Sequence, residues 1–262
     1  MPFHQPDRVR YYSFDIYKEE KVTHAVFTRV GGVSTKQWSS LNVGLTVGDD
    51  PNNVAENRRL SFLTVDRSLK TLSDSWLIHG TDVFIYDSPR SSTQRYPPKA
   101  DIILTDRPGV TLFMRYADCV PILLYDPVNE VVGLAHSGWQ GTVKKVGAVA
   151  VEAMHKKYGC KPTDILGAIG PAISPARYEI GAETAEIVRA AFGDEADEVL
   201  PRYNHAIHFD LWKANQIILE KAGLRQIELA GICTAENPHD WFSHRGSNGK
   251  TGRFGVLLGL NG

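Results

Sequence analysis

The chain has 262 residues, of which 42% are hydrophobic and 23% are charged, and its 29 Lys and Arg nearly balance 30 Asp and Glu. This composition is typical of a globular protein, and it lacks the basic surplus of a nucleic-acid-binding surface. No run approaches the ~18 apolar residues of a membrane span, and no signal-peptide pattern is present. Three widely spaced cysteines favour a reducing compartment. We therefore expect a cytoplasmic protein without a nucleic-acid or membrane partner.

The first half of the chain shows mainly strand patterns. The predicted strands are 24–30, 75–80 and 82–87, followed by DIILT, VTLFMRY, VPILLYD and VVGLAH between residues 101 and 136. One helical pattern interrupts them over 51–65, with Pro51 near its start.

Two further helices are predicted in the second half. Beyond Trp139 the apolar residues change to a helical period, and the segment KKYGC would end this helix. The residues that share its apolar face are Val143, Val146, Ala150 and Met154. The second helix covers 209–224, with Asp210 as its N-cap and Gly223 directly past its end.

The remaining patterns predict strands over 164–171, 227–233 and 252–258. Several strands in succession, mixed with helices, indicate an α/β or α+β fold with a mixed β-sheet flanked by helices. No Pro-, Gly- or Ser-rich linker divides the sequence. We therefore expect one compact domain over 1–262.

Three side chains with metal-binding chemistry stand at strand boundaries beside turns: His79, Cys119 and His136. Two imidazoles and one thiolate can occupy three corners of a tetrahedral zinc site, with the fourth open as in catalytic sites. The three residues are far apart in the sequence and form no zinc-finger pattern. The residues alone therefore do not separate a zinc site from ordinary roles in turns and in the core.

Two other interpretations of the same residues remain open. Cys119 is a candidate nucleophile with a histidine as its base, as in a metal-free cysteine hydrolase, although Asp118 beside it opposes a lowered thiol pKa. Two histidines and one cysteine also suit copper with a weak axial methionine. The internal methionines, Met114 and Met154, have no recognisable copper-loop spacing.

Eight short segments between Phe27 and Leu260 share their order and spacing with one protein family. They are FTRVGGVS, SLNVGLTVGDD, ENRR, IHG, ADCVPILLYDP, AHSGWQGT, GPAISPARYEIG and TGRFGVLLGL. On these segments the chain resembles the laccase-domain family, first named multicopper polyphenol oxidoreductase. That family is now regarded as purine nucleoside phosphorylases with adenosine deaminase side activity.

The resemblance implies a single α/β domain related in architecture to cysteine-dependent toxin domains. It implies that His79, Cys119 and His136 bind Zn²⁺, with copper as the alternative metal. The implied substrates are inorganic phosphate and a purine nucleoside: adenosine, inosine or 5′-methylthioadenosine. The products would be the free base and ribose 1-phosphate. A copper-dependent polyphenol oxidase (laccase) is the alternative, but the chain's nine histidines include no His-x-His pair.

Candidate substrate contacts lie in the matching segments. Arg29, Asn42, Arg58 and Arg253 are our candidates for binding substrate and phosphate, since guanidinium groups bind phosphate through two hydrogen bonds. Deamination would need a metal-bound water with its pKa lowered towards ~7 to attack C6 of adenine. Asp118 is the candidate for proton transfer and joins the three metal ligands as a predicted catalytic residue.

The sequence departs from the family pattern at two positions. The family usually has arginine where this chain has Gln140 and Gly246, so two cations that could bind phosphate are missing. A helix beginning near Trp139 would direct free N–H groups towards the site. We therefore expect phosphate between the metal and the start of this helix.

Overall fold

The computed structural model describes residues 2–91 and 93–262. The strands in these ranges are β1 (Phe3–His4), β2 (Tyr11–Tyr12), β3 (Val22–Phe27), β4 (Leu72–Asp74), β5 (Val83–Ile85), β6 (Ile102–Thr105), β7 (Thr111–Tyr116), β8 (Val120–Asp126), β9 (Val131–Ser137), β10 (Leu166–Ile169), β11 (Arg202–Tyr203), β12 (Ala206–Ile207), β13 (Gln226–Leu229) and β14 (Phe254–Leu260). The α-helices are α1 (Pro51–Thr64), α2 (Trp139–Val143), α3 (Val146–Tyr158), α4 (Ala182–Phe192), α5 (Ala196–Val199) and α6 (Leu211–Lys221).

Two six-stranded sheets form the centre of the molecule. The first has the order β1-β2-β3-β14-β7-β4 and the second β13-β10-β8-β9-β6-β5, while β11 and β12 form a separate ribbon. Both sheets are mixed, because β4 runs parallel to β7 and β5 parallel to β6 among antiparallel neighbours. The predicted α+β class is therefore confirmed, but the strands form two mixed sheets where one was expected.

The alternation of side chains along the strands explains this layered arrangement. Leu123 in β8 packs into a core shared by the two sheets, whereas its neighbours Ile122 and Leu124 pack into a second core with α3, α4 and α6. A third core lies between the outer face of the first sheet and α1. In this core Phe62 of α1 packs with Phe113 of β7. Strands buried on both faces have nearly continuous apolar sequences, and β8 follows this pattern from Val120 to Tyr125. The shared core unites the sheets in one α+β domain, and its extent over 1–262 stays a prediction.

The prediction of a strand over 75–80 is wrong. The strand lies earlier, in β4, and 75–80 is irregular apart from an isolated bridge between Trp76 and Lys99. The backbone N–H groups of residues 78, 79 and 80 bond to the carboxylate of Asp101 instead of to a neighbouring strand. A buried acceptor has thus replaced the strand ladder that the apolar pattern predicted.

The predicted helix after Trp139 is divided into α2 and α3. Lys145 has a φ of 60°, in the left-handed region, and its N–H donates to the carbonyl of Thr142. This tight turn ends α2 and redirects the chain. The apolar face expected from the sequence is kept in α3, where Val146, Ala150 and Met154 are buried. Among the helices in the described ranges, none has the length and apolar character that crossing a bilayer requires.

Candidate active site

The three predicted metal ligands lie together at one end of the second sheet. His136 is the penultimate residue of β9, and Cys119 immediately precedes β8, which pairs with β9. His79 lies in the irregular segment before β5, with a φ of 57°. One potential ligand atom from each residue lies within 4.8 Å of the others. Since β9 lies between β8 and β6, His136 is anchored at a strand end in the sheet interior, not at the sheet edge.

Asp101 connects the two histidines. Its Oδ1 accepts hydrogen bonds from His136 Nδ1 at 2.9 Å and from the His79 N–H at 3.1 Å. Its Oδ2 accepts from the N–H groups of Ile78 at 3.1 Å and Gly80 at 2.8 Å. The side chain is fully buried. Asp101 therefore fixes both the His136 ring and the turn that carries His79, as partners of metal-binding histidines commonly do.

The charges of this cluster suit metal ligation. Burial lowers the pKa of His79, so its imidazole is neutral near pH 7. Burial also acts to lower the pKa of His136, but Cys119 and Asp101 outweigh it and raise the pKa to about 9. In a metal-free protein His136 is therefore protonated near pH 7. A metal ion would replace that proton, because thiolate and neutral imidazole are the binding forms.

Gly138 provides the space for these ligands. A Cβ atom at this position would lie 3.0 Å from Cys119 Sγ and 3.2 Å from His79 Nδ1. The backbone thus approaches the ligand cluster more closely than a larger residue allows. Two imidazoles and a thiolate match the donor preferences of zinc and leave a fourth position open. Within the described residues, this is the one group of three or more His, Cys, Asp or Glu side chains placed to hold a metal ion.

The ligand cluster lies in the wall of a cavity of about 840 Å³. This volume is within the usual range for small-molecule sites. Its charged lining is strongly positive, since two aspartates, Asp74 and Asp118, face six arginines. The arginines are Arg58, Arg90, Arg95, Arg115, Arg245 and Arg253. The whole chain has a net charge of −1, so this surplus is local and favours an anionic ligand.

Asp118 lines the same cavity beside Cys119, with a φ of 82°. Its Oδ1 accepts from the Thr234 hydroxyl at 2.7 Å, and its Oδ2 accepts from the Arg245 N–H at 2.6 Å. These bonds hold the carboxylate at the cavity wall and join three loops there. The carboxylate of Asp118 therefore stabilises its turn and lies in the cavity wall, and its role in proton transfer stays a prediction.

The four predicted substrate contacts fall into two pairs. Arg58 and Arg253 line the large cavity. Arg29 is not among the lining residues, and its guanidinium donates to the carbonyls of Ser39 and Pro238. Asn42 is fully buried and bonds to Gly44, Asp49 and the backbone of Arg253. The positions of Arg29 and Asn42 favour a role in shaping the loops behind the cavity.

The expected helix N-terminus is present but short. A smaller cavity of about 150 Å³ adjoins the ligand cluster and is lined by Gly138, Trp139 and Gln140 among others. Helix α2, which begins there, has five residues. Such a helix sums few peptide dipoles and attracts an anion weakly. The arginines of the large cavity should attract an anion more strongly, since Gln140 adds no charge to the smaller cavity. Phosphate at the start of α2 stays a prediction.

Sequence reasoning missed Arg95 and Arg245 in the cavity lining. It also missed four residues that organise this region: Asp74, Arg90, Asp101 and Arg115. In the sequence, Asp101 is a polar residue before an apolar strand, and the neighbouring residues do not indicate its hydrogen bonds to His79 and His136. The other three belong to one ion cluster whose members come from distant parts of the chain. An arginine within the strand VTLFMRY was the available signal for Arg115, because a charge inside a buried strand requires a partner.

Comparisons with known proteins find similar sequences over most of the chain. The family model described as multi-copper polyphenol oxidoreductase laccase matches residues 23–261. Purine nucleoside phosphorylase YlmD of Bacillus subtilis is 36% identical over 248 residues, which cover 89% of this chain and 86% of that protein. A purine nucleoside phosphorylase of Deinococcus radiodurans is 37% identical over 239 residues, covering 91% of this chain and 89% of the relative.

Solved structures give the same result for the fold. The crystal structure of YlmD from Geobacillus stearothermophilus superposes with a TM-score of 0.92 at 30% identity, covering 100% of this chain and 99% of the other. The hypothetical protein YfiH of Bacillus licheniformis gives a TM-score of 0.90 at 31% identity, with 99% of both chains covered. The expected likeness to cysteine-dependent toxin domains stays a prediction.

Proposed function

We propose that this chain, which belongs to the multi-copper polyphenol oxidoreductase laccase family, is a zinc-dependent purine nucleoside phosphorylase. It would convert inosine, adenosine or 5′-methylthioadenosine and inorganic phosphate into the free base and the corresponding ribose 1-phosphate. The observation that carries the proposal is the location of the His79, Cys119 and His136 cluster in the wall of an arginine-rich cavity. Relatives named purine nucleoside phosphorylase, 36% and 37% identical, support the same activity.

Phosphorolysis requires that phosphate be oriented below C1′ of the ribose while the purine leaves. Arg253 is suited to orient phosphate because it lines the same cavity as Cys119 and Asp118. Arg58 adds a second guanidinium on the same cavity. Fixed guanidinium groups stabilise the phosphate oxygens without reorganisation during the reaction. Asp118, held by Thr234 and Arg245, remains our candidate for proton transfer in the deamination of adenosine.

We assign His79, Cys119 and His136 as zinc ligands and expect adenosine deaminase activity as a second reaction. Bound zinc would supply a Lewis acid that activates water near pH 7, which is the chemistry that deamination needs. Copper is the alternative metal for the same donors. A multicopper oxidase needs several copper sites, and the described residues place one such ligand group. The phosphorylase therefore fits this cavity better than the polyphenol oxidase.

A metal-free cysteine hydrolase has one specific observation in its favour. Asp101 binds His136, and His136 interacts with Cys119, so the three form a carboxylate–imidazole–thiol series. Cysteine nucleophiles are activated in this way. Rapid alkylation of Cys119 by iodoacetamide in zinc-loaded protein would support the hydrolase, whereas protection by zinc supports a ligand role. The approach of His79 to the same cluster favours the metal site.

The proposal is tested by product analysis together with elemental analysis. Purified protein is incubated with inosine or adenosine, with and without phosphate, and the bases, nucleosides and ribose 1-phosphate are separated by chromatography. We expect about one zinc per chain, base release that depends on phosphate, and phosphate-independent formation of inosine from adenosine. Oxygen consumption with phenols and several copper ions per chain would instead support the oxidase. Absence of base release at stoichiometric zinc would reject the phosphorylase.

A further inference from the structure

Three arginines converge on the carboxylate of Asp74 at the large cavity. Arg90 Nε lies 2.8 Å from Asp74 Oδ1, and Arg115 Nη1 lies 3.1 Å from Oδ2. Arg58 Nη1 approaches the same Oδ2 at 3.6 Å. All four residues line the cavity. An ion pair that only stabilises the fold needs one cation for each carboxylate, so this arginine cluster has two positive charges in excess.

Burial makes this excess charge costly. Arg58 is 8% exposed, and among the described residues its Nη2 has no hydrogen-bond partner although the residue lines the cavity. Burial and the neighbouring charge of Arg115 lower the pKa of Arg58 to about 10. Burial also lowers the pKa of Arg115. Buried cations that share a single carboxylate are incompletely neutralised, which destabilises a protein. An anion in the cavity would remove that cost.

We propose that the arginine cluster of Arg58, Arg90 and Arg115 binds a phosphate dianion. A phosphate ester has a charge of about −1.5 to −2 at pH 7, which matches the surplus left after Asp74. Guanidinium forks bind phosphate oxygens in pairs, and the free Nη2 of Arg58 supplies an unused donor. Asp74 holds the three side chains in place before the anion arrives, which limits the entropy lost on binding.

The position of the cluster relates this anion to the chemistry. Arg115 lies in β7, and the chain continues from that strand directly to Asp118 and Cys119. Arg253 lines the same cavity as the arginine cluster, Asp118 and Cys119. The phosphate has two possible sources: the inorganic phosphate of the proposed phosphorolysis, or the 5′-phosphate of a nucleotide in the cavity. The first source rests on the proposed function, whereas the second does not.

Direct binding measurements test the site without turnover. Isothermal titration calorimetry at constant ionic strength compares inorganic phosphate, inosine and inosine 5′-monophosphate on wild-type protein and on Arg90→Gln. Arg90 is the most exposed member of the cluster, so this variant disturbs the core least. The matched control is Arg107→Gln, which removes the same charge from an exposed pair with Asp106. Loss of a charged hydrogen-bond donor should weaken the bound phosphate about 10- to 100-fold.

The pattern of weakening identifies the source of the phosphate. Weaker binding of inorganic phosphate in Arg90→Gln, with inosine unchanged, assigns the cluster to the co-substrate. The other outcome is that wild-type protein binds the monophosphate at least tenfold more tightly than inosine and that Arg90→Gln loses this difference. That result assigns the cluster to a 5′-phosphate. If neither phosphate compound binds wild-type protein, or if Arg90→Gln and Arg107→Gln bind both equally well, the proposal is overturned.

Two further measurements keep the result interpretable. Circular dichroism checks that Arg90→Gln is folded, and Arg90→Lys keeps the positive charge while removing the fork, so it should weaken phosphate by an intermediate factor. Equal phosphate affinity in Arg90→Lys, Arg90→Gln and wild-type protein would also overturn the site. Phosphate binding without phosphorolysis would reject the proposed function and keep the site. Phosphorolysis with an unchanged phosphate KM in Arg90→Gln would reject the assignment to the co-substrate and keep the function. If the affinity for the monophosphate is unchanged as well, the site is rejected.

Discussion

Substitution of Asp101 by asparagine tests how the two histidines are held. Burial acts to raise the pKa of Asp101, but hydrogen bonds from His136 and from the Gly80 N–H outweigh burial and lower this pKa. The carboxylate is therefore ionised and only accepts hydrogen bonds, so His136 Nδ1 must be the donor. This leaves His136 Nε2 as the nitrogen available to a metal.

Asparagine cannot make all of these hydrogen bonds in either orientation of its side-chain amide. If its NH₂ group replaces Oδ1, His136 Nδ1 becomes the acceptor and Nε2 is protonated, which is the wrong tautomer for ligation. If the NH₂ group replaces Oδ2, the N–H groups of Ile78 and Gly80 lose their acceptor. Each buried unsatisfied donor costs about 1–3 kcal/mol. Asp101→Asn should therefore weaken zinc binding about 10- to 100-fold.

The assay is competition for zinc with a chromogenic chelator at pH 7, accompanied by thermal unfolding to verify the fold. Asp87→Asn is the matched control, because Asp87 is exposed beyond the end of β5. The control should bind zinc as wild-type protein does. Zinc affinity of Asp101→Asn within a factor of two of wild type, in a folded protein, would refute the role given to Asp101.

Three further substitutions test other parts of the structure. Gly138→Ala places a Cβ 3.0 Å from Cys119 Sγ, so zinc affinity in the same competition assay should fall; an unchanged value would contradict the close approach. Gly31→Ala combines a φ of 99° with a Cβ 2.1 Å from a backbone oxygen and should lower the free energy of unfolding in urea by more than about 2 kcal/mol. Gly109→Ala, with nothing within 4 Å of its Cβ, is the control and should change it by less than ~1 kcal/mol. Burial lowers the pKa of His24 to about 4, so as the pH falls the unfolded chain protonates at this histidine before the folded protein does. Up to about 3 kcal/mol of the free energy of unfolding present above pH ~6.5 is therefore lost as the pH falls to 4. His24→Gln should reduce this slope in thermal unfolding measured between pH 4 and 8, and equal slopes would show that His24 is not buried as a neutral ring.

The sequence pattern predicts elements well where burial follows a regular period. The apolar runs of β7, β8 and β9 identify strands, and Asp210 caps α6 as expected, with its side chain accepting from the N–H of Lys213. The pattern fails at residues 75–80 because Asp101 supplies acceptors that a strand ladder would otherwise provide. It also fails at Lys145, where a left-handed residue divides one amphipathic pattern into two helices.

The candidate site was also predicted only in part from the sequence. The sequence places His79, Cys119 and His136 at predicted strand boundaries, and the structure brings their ligand atoms within 4.8 Å of one another. The strand boundary predicted at His79 is wrong, since His79 lies in an irregular segment. The partners that fix or charge the site were not visible in the sequence. Asp74 and Arg115, for example, meet across β4 and β7, and only the sheet register shows that two residues so far apart are neighbours.

The most direct test of the proposed function is the rate of hypoxanthine release from inosine and phosphate by Cys119→Ala. Cys160→Ala is the matched control, since Cys160 is buried outside the ligand cluster. We expect Cys119→Ala to remain folded, to lose stoichiometric zinc and to lose phosphate-dependent hypoxanthine release, while Cys160→Ala keeps both zinc and turnover. Full phosphorolysis by zinc-free Cys119→Ala would contradict the zinc-dependent phosphorylase proposed for this chain.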